Sequence, residues 1–140
     1  MTAETCLTLN KTILFVCVAN AGRSQMAESI FNQMNLAGFR AISAGTNPAK
    51  EINPLVVGAL REIGIDASAS KPKQITPEMV AEADRIITMG CEASGFCPAK
   101  FLPKIEDWHI GDPEGKSLSE IRSIRDTIRW RVQKLVRDLH

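Results

Sequence analysis

The sequence predicts an α/β fold in which a parallel β-sheet is covered by helices on both faces. Short apolar runs, typical of buried strands, alternate along the chain with segments whose apolar residues recur at helical spacing. Such alternation favours a three-layer, doubly wound arrangement. At 140 residues the chain is expected to form a single domain, residues 1–140.

The first strand and helix lie on either side of a short loop. The apolar run Ile13–Val16 predicts a strand that stops at Cys17. After a loop over 18–22, Arg23 opens a segment with helical spacing. Its apolar positions are Met26, Ala27, Ile30, Phe31 and Met34.

A second strand and helix follow. Phe39–Ser43 predicts the strand, and a Gly-Thr-Asn-Pro turn comes after it. Asn53 and Pro54 begin a helix that Gly64 ends.

The third strand is preceded by a short helix. Thr76 is expected to cap that helix, which runs through about Ala83. Arg85–Met89 predicts the third strand, and Lys104–Ile110 predicts the fourth.

The C-terminal segment predicts one long helix. Ser117 and Glu120 have capping-box spacing at its start. An apolar stripe continues from Leu118 to Leu139, and the opposite, charged face is interpreted as solvated surface.

The composition excludes several classes of partner. The net charge of +1 gives no field that would attract nucleic acid or an anionic membrane, and no apolar stretch is long enough to span a bilayer. The polar N-terminus does not resemble a signal peptide, so we expect a cytoplasmic protein.

The loop after the first strand combines a thiol with an anion-binding geometry. Backbone N–H groups at a helix start favour a tetrahedral oxyanion, and Arg23 adds a guanidinium that can grip two of its oxygens. The same positive potential favours the thiolate of Cys17, and Ser24 could donate a hydrogen bond to its sulfur. Gly22 is expected to supply a positive φ. The alternative is a buried, inert Cys17 before an ordinary helix. The predicted oxyanion loop is Val18, Ala19, Asn20, Ala21, Gly22 and Arg23.

Asp112 is the candidate general acid. In a parallel sheet, ligands bind at the carboxyl ends of the strands, and Cys17, Cys91 and Asp112 all follow such ends. A carboxyl group over the oxyanion could protonate the oxygen that leaves when the thiolate attacks, and Pro113 would fix its loop. The alternative is a plain Asp-Pro turn. His109 is interpreted as packed or surface-exposed.

The chain contains four cysteines, which indicate redox chemistry. A disulfide framework is not expected in a reducing compartment, and the wide Cys91–Cys97 spacing does not suit zinc. Three thiols at one sheet edge suit a relay, in which the first attacks an oxyanion, the second reduces the adduct by two electrons and the third takes over the disulfide. We treat Cys6 as incidental.

The Cys91–Cys97 segment cannot be a regular helix if its two thiols are to bridge. Six helical residues rise about 9 Å, whereas a disulfide needs α-carbons within about 7 Å. Gly90 and Gly95 would ease unwinding, so we expect the segment to change shape between the reduced and oxidised protein. The alternative is a pair of incidental loop cysteines.

Together these motifs resemble the arsenate reductases built on the low-molecular-weight protein tyrosine phosphatase fold. The resemblance runs from about residue 12 to the final helix and implies a four-stranded parallel sheet in the order 2-1-3-4. The motifs are Cys17-Val-Ala-Asn20-Ala-Gly-Arg23-Ser24-Gln25-Met26-Ala-Glu28, Ser43-Ala-Gly45, Thr88-Met89-Gly90-Cys91, Cys97-Pro98 and Asp112-Pro113.

The resemblance also implies residue roles and partners. Cys17 would be the nucleophile, Arg23 and the loop amides would bind arsenate, Asp112 would be the acid, and Cys91 and Cys97 would be the second and final thiols. Electrons would come from thioredoxin or another small thiol donor, with no tightly bound cofactor, and a monomer is expected.

The resemblance raises one candidate metal site. Some members of the family bind potassium through residues that correspond to Asn20, Glu28 and Ser43. Gln74 stands near the place of a further acidic ligand.

Two alternatives to the reductase remain open. A low-molecular-weight phosphatase would hydrolyse phosphomonoesters through a phosphocysteine at Cys17 and needs the same loop and Asp112. Phosphatases of this kind carry tyrosines beside the acid, whereas this chain has no tyrosine. A non-catalytic oxyanion sensor with redox-reporting thiols is the other alternative.

Overall fold

Four parallel strands form a single sheet in the part of the chain that the computed structural model describes, residues 11–90 and 104–139. The strands are β1 (Lys11–Cys17), β2 (Phe39–Gly45), β3 (Arg85–Thr88) and β4 (Ile105–Asp107). Their order, β2-β1-β3-β4, confirms the expected fold class.

The described residues contain four helices, which begin where the sequence signals predict. Asn53 caps the second helix by accepting a hydrogen bond from the Leu55 N–H, and Thr76 caps the third in the same way. Ser117 and Glu120 form the reciprocal capping box at the fourth. The helices are α1 (Arg23–Gln33), α2 (Pro54–Arg61), α3 (Pro77–Glu82) and α4 (Leu118–Leu139).

The two faces of the sheet pack against different helices, which explains why β1 is apolar throughout. Ile13, Phe15 and Cys17 belong to the larger core, which the helices α1, α2 and α4 cover. Leu14 and Val16 point to the other face, where they join a smaller cluster that includes Val80 of α3. Because both faces of a central parallel strand are buried, β1 reads as a continuous apolar run rather than an alternating one.

The fourth strand is shorter than the sequence predicted, since the expected strand Lys104–Ile110 ends at Asp107. Trp108 is buried against Phe15, with ring centroids 5.7 Å apart, so its apolar character reflects the core rather than a longer strand. His109 has a φ of 53°, which is incompatible with an extended strand. The third strand likewise ends one residue early, at Thr88.

The carboxyl ends of the strands carry the connections that the sequence analysis singled out. Cys17 ends β1, Gly90 follows β3, and Asp112 follows β4. No helix within the described ranges is long and apolar enough to cross a membrane.

Candidate active site

The Cys17 sulfur is enclosed by the loop between β1 and α1. The residue is only 2% exposed. Its Sγ lies 2.8 Å from Ser24 Oγ and accepts a hydrogen bond from the Asn20 N–H at 3.3 Å. Because Ser24 Oγ already accepts from the Asn20 amide at 2.7 Å, its own hydrogen is free to point to the sulfur. Two hydrogen-bond donors are therefore directed at the sulfur.

The oxyanion loop is held by its carbonyl groups, which turn its amides inward. The carbonyls of Cys17, Val18, Ala19 and Ala21 accept hydrogen bonds from N–H groups in the segment 46–53, at 2.8–3.2 Å. In a planar trans peptide the N–H points opposite to the carbonyl. The N–H groups that follow these carbonyls therefore point away from the segment 46–53, and that of Asn20 reaches the sulfur. This arrangement suits a tetrahedral anion bound against the thiolate.

Asn20 organises the loop from beneath. It is fully buried and has a left-handed φ of 51°. Its Oδ1 accepts hydrogen bonds from the Lys73 N–H at 2.8 Å and from the Gln25 side chain at 3.1 Å. Its amide nitrogen donates to Ser24 and, at 3.0 Å, to Ser43. All of its hydrogen-bonding capacity is thus used to fix the loop.

Gly22 is needed for a different reason from the one the sequence suggested. Its φ is −147°, so the expectation of a positive φ there is wrong, and the left-handed residue of the loop is Asn20. A Cβ at residue 22 would lie 2.5 Å from Pro113 Cγ. Glycine is required because the Cys17 loop and the Asp112 loop touch at this point.

A second glycine, Gly45 at the end of β2, permits another close approach. A Cβ at this position would lie 2.6 Å from the Val18 carbonyl oxygen and 2.9 Å from Asn20 Cβ. The Ser-Ala-Gly sequence that ends β2 therefore leaves room for the oxyanion loop to pack on the sheet edge.

The Arg23 guanidinium is fixed by two other strand ends. It is 6% exposed, and its Nη1 donates to the carbonyl oxygen of Met89, just after β3. The same nitrogen donates to the Ile110 carbonyl oxygen at 3.0 Å, after β4. Both contacts are made by Nη1 alone, and Arg23 also lines the cavity above Cys17.

A cavity of about 240 Å³ brings six of the predicted site residues together. Cys17, Arg23 and Asp112 all line it, together with Ala19, Ala21 and Gly22 of the loop. Asp112 is exposed, and its Oδ1 accepts a hydrogen bond from the Glu114 N–H at 2.9 Å. The remaining lining residues are Ala49, Glu51, Asn53, Pro113 and Glu114.

Other predicted site residues lie away from this cavity. Val18 is exposed, and the Asn20 side chain is directed into the hydrogen-bond network beneath the loop. His109 is a surface residue, as expected, and its Nδ1 lies 2.8 Å from Asp107 Oδ2. Cys91, Cys97 and the shape change expected between them lie outside the described residues, as does Cys6.

The residues of the candidate potassium site are engaged with one another. The Ser43 hydroxyl donates to Glu28 Oε1, and the Asn20 amide donates to that hydroxyl. The ammonium of Lys73 lies 3.7 Å from the same carboxylate oxygen. Potassium binding by these groups stays a prediction. Across residues 11–90 and 104–139, no group of three or more His, Cys, Asp or Glu side chains is arranged to hold a metal.

Two residues of the site were given no role by the sequence analysis. Gln25 donates to Asn20 and to the Lys71 carbonyl at 3.1 Å, although its position after Arg23 and Ser24 in a helix start gave a weak signal. Lys73 contributes through its backbone N–H, 53 residues away from Asn20, which no local pattern could reveal.

Comparisons with known proteins agree with this geometry. The family described as low molecular weight phosphotyrosine protein phosphatase matches residues 12–140. An arsenate reductase of Staphylococcus aureus (strain N315) is 35% identical over 127 residues, which cover 89% of this chain and 95% of that protein.

Solved structures of two activities share the fold. A thioredoxin-dependent arsenate reductase of Corynebacterium glutamicum is 33% identical with a TM-score of 0.79, covering 98% of this chain and 65% of that one. The YwlE arginine phosphatase of Geobacillus stearothermophilus is 27% identical with a TM-score of 0.82, covering 92% of both chains.

Proposed function

The chain belongs to the low molecular weight phosphotyrosine protein phosphatase family, and from this we propose that it is an enzyme that reduces arsenate to arsenite through three cysteines. The observation that carries the proposal is the cavity in which the Cys17 thiol, the Arg23 guanidinium and the Asp112 carboxyl meet. The 35% identity to an arsenate reductase across most of both chains supports the choice of oxyanion.

The first step would be attack on arsenate by the Cys17 thiolate. A sulfur–arsenic bond forms and one arsenic–oxygen bond breaks, while arsenic stays pentavalent. Asp112 would donate a proton to the departing oxygen, which leaves as water. The loop N–H groups and Arg23 would bind the remaining oxygens, where negative charge develops. Ser24 and the Asn20 N–H would stabilise the thiolate before the attack.

The second step would be attack by the Cys91 thiolate on the Cys17 sulfur. A disulfide bond forms, the sulfur–arsenic bond breaks, and its electron pair stays on arsenic, which becomes trivalent. Arsenite takes up protons from water and leaves. The support for Cys91 comes from its position in the sequence immediately after Gly90, at the carboxyl end of β3.

The last steps would return the nucleophile to its reduced form. The Cys97 thiolate attacks the Cys91 sulfur, so that Cys17 departs as a thiolate and a Cys91–Cys97 disulfide forms. A dithiol protein such as thioredoxin then reduces this disulfide and is itself oxidised. The thioredoxin dependence of the Corynebacterium glutamicum reductase supports this class of donor.

The second candidate is hydrolysis of phosphomonoesters, which the same loop and acid could perform through a phosphocysteine. The arginine phosphatase with the same fold favours it. Against an aryl phosphate substrate, none of the described residues that line the cavity is aromatic. A lining without rings offers no stacking partner to phosphotyrosine, whereas a small inorganic oxyanion needs none.

The test is a coupled assay that follows arsenate-dependent oxidation of NADPH through thioredoxin and thioredoxin reductase. We expect turnover by the wild type and its loss in Cys17→Ser, Cys91→Ser and Cys97→Ser. Cys6→Ser is the matched control and should keep full activity. Unchanged turnover in Cys91→Ser and Cys97→Ser would refute the relay.

A parallel assay separates the two candidate functions. Rapid hydrolysis of p-nitrophenyl phosphate without arsenate turnover by any thiol donor, including glutathione with glutaredoxin, would favour the phosphatase. Arsenate turnover with hydrolysis that is slow and depends on Cys17 alone would support the reductase.

A further inference from the structure

The side chain of Asp107 ties the end of β4 to the end of β3. Its Oδ1 accepts hydrogen bonds from the Thr88 hydroxyl, which is fully buried, and from the Gly90 N–H at 2.9 Å. Its Oδ2 accepts from the backbone N–H of His109 at 2.8 Å. The carboxylate therefore bridges three points on two neighbouring strand ends, none of which belongs to the cavity above Cys17.

Arg23 also connects the chain that follows β3 to the chain that follows β4. Its guanidinium donates to the carbonyl oxygens of Met89 and Ile110, so the two strand exits are joined twice. Gly90 lies between the two contacts with a φ of +87°, and a Cβ there would be 2.9 Å from Arg23 Nη1. A glycine in this conformation has wide backbone freedom unless its neighbours restrict it.

The charge of Asp107 makes it a strong acceptor. Burial alone would raise the pKa of this carboxyl, but hydrogen bonds from Thr88, Gly90 and His109 outweigh burial and hold the pKa below its usual value. The group is thus ionised near neutral pH, and hydrogen bonds to an ionised acceptor are about twice as strong as neutral ones. The His109 ring, 2.8 Å away through Nδ1, adds a further contact on the exposed side.

We propose that Asp107 is a positioning residue, which fixes the direction in which the chain leaves β3 at Gly90 and thereby accelerates attack by the next residue, Cys91, on Cys17. The inference rests on the function proposed above, because it concerns the second step of that reaction. Intramolecular attack depends steeply on how well the reacting group is oriented, and a displacement of about 1 Å can cost about a hundredfold in rate. The carboxylate restrains Gly90, the residue that precedes Cys91 in the sequence.

The matched variants are Asp107→Ala, Asp107→Asn and Glu106→Gln. Asparagine keeps one acceptor oxygen of Asp107, whereas alanine removes both. Glu106 is the neighbour on β4, half-exposed, and its contacts are with Arg85 at 3.6 Å and the Trp108 indole at 3.2 Å rather than with Thr88 or Gly90. Glu106→Gln therefore controls for loss of a carboxylate from this strand.

We expect Asp107→Ala to lower kcat for arsenate reduction by about tenfold or more, and Asp107→Asn to lie between it and the wild type. The KM for arsenate and the hydrolysis of p-nitrophenyl phosphate should stay within about twofold, since both depend on Cys17, Arg23 and Asp112 but not on Cys91. Glu106→Gln should match the wild type. A general structural role would lower both activities together.

Two outcomes would overturn the inference. One is unchanged arsenate turnover in Asp107→Ala. The other is a parallel fall of arsenate turnover and phosphate hydrolysis in both Asp107 variants, which would mean that the carboxylate acts through Arg23 or through overall stability.

A second measurement keeps this inference separable from the proposed function. Formation of the Cys17–Cys91 disulfide can be followed without arsenate, by treating the reduced protein with diamide and identifying the linked peptides by mass spectrometry. Slower disulfide formation in Asp107→Ala would support the positioning role even if no arsenate turnover were found. Equal rates in the wild type and Asp107→Ala would refute it.

Discussion

Two clusters of polar side chains hold this molecule together in different ways. The Asn20 cluster, which consists of Asn20, Ser24, Gln25 and Ser43, is buried beneath the oxyanion loop and contains no charged group. The Glu62 cluster joins α2 to α4 through ion pairs with two arginines, Arg122 and Arg125, both at 2.7 Å. Its glutamate side chain is 38% exposed.

The difference between the clusters is the availability of water. Buried donors and acceptors that lose a partner have no replacement, so the Asn20 cluster permits essentially one arrangement of the loop. In the Glu62 cluster the Glu62 and Arg122 side chains are 38% and 46% exposed, so they can exchange each other for water at little cost, and salt screens their ion pair. Arg125, with a side chain 10% exposed, is the buried member of this otherwise exposed cluster. The buried cluster therefore fixes the geometry of a reactive site, whereas the exposed cluster adds modestly to helix packing. The predictions that follow test this contrast.

The largest effect is expected at Arg23, which is buried and also lines the cavity above Cys17. In Arg23, Nη1 donates to both Met89 and Ile110, which leaves the rest of the planar guanidinium for the ligand, whereas Arg23→Lys supplies a single nitrogen that cannot serve both purposes. We expect kcat/KM for arsenate to fall about a hundredfold or more, as for the loss of an oxyanion-binding donor. Arg40→Lys, an exposed site on β2, is the control. If the two variants were equally active, Arg23 would not contribute to arsenate binding.

Asn20→Ala should give the next largest effect, and this effect should appear in stability. The substitution leaves the Lys73 N–H and the Gln25 amide without their acceptor inside the protein. We expect a loss of about 2–3 kcal/mol in the free energy of unfolding, measured by urea denaturation, together with weaker phosphate binding. The exposed Asn47→Ala is the control. A loss no larger than that of the control would mean that water replaces the amide.

Glu62→Gln should have the smallest effect, and its effect should depend on pH. Hydrogen bonds from Arg122 and then Arg125 lower the pKa of Glu62 from 4.5 to about 2. Because the folded pKa is the lower one, the ionised carboxylate stabilises the fold above pH 4.5, and this contribution disappears as the pH falls toward 2.

The measurement is the difference in Tm between wild type and Glu62→Gln across this pH range. We expect a small difference at pH 7 that shrinks below pH 4.5 and on addition of salt. The exposed Glu82→Gln should show no such trend. A difference that stays constant down to pH 2 would assign the effect to packing rather than to charge.

Local sequence patterns predicted the fold and part of the lining of the cavity. Strand ends in a parallel sheet lie at one edge, so Cys17, Arg23 and Asp112 could be brought together from spacing alone. The approach of Ser24 to the Cys17 sulfur was also expected, because the two residues lie at opposite ends of one short loop. Helix starts were predictable because capping chemistry is local.

Contacts between distant segments were not predictable. Lys73 binds Asn20 through a backbone N–H, which leaves no mark on the residue type. Asp107 looked like one more residue of the fourth strand, whereas its carboxylate ends that strand by binding the His109 N–H. Gly22 was correctly singled out for the wrong reason, because the position of Pro113 relative to it depends on the whole sheet.

The contact between Gly22 and Pro113 couples the Cys17 loop to the Asp112 loop. Beside the proline ring there is room only for a hydrogen atom on residue 22, since a methyl group would sit 2.5 Å from Pro113 Cγ. We expect even alanine at residue 22 to act as a wedge that moves the two loops apart. The spacing between Cys17 and Asp112 thus depends on the absence of a side chain at one position.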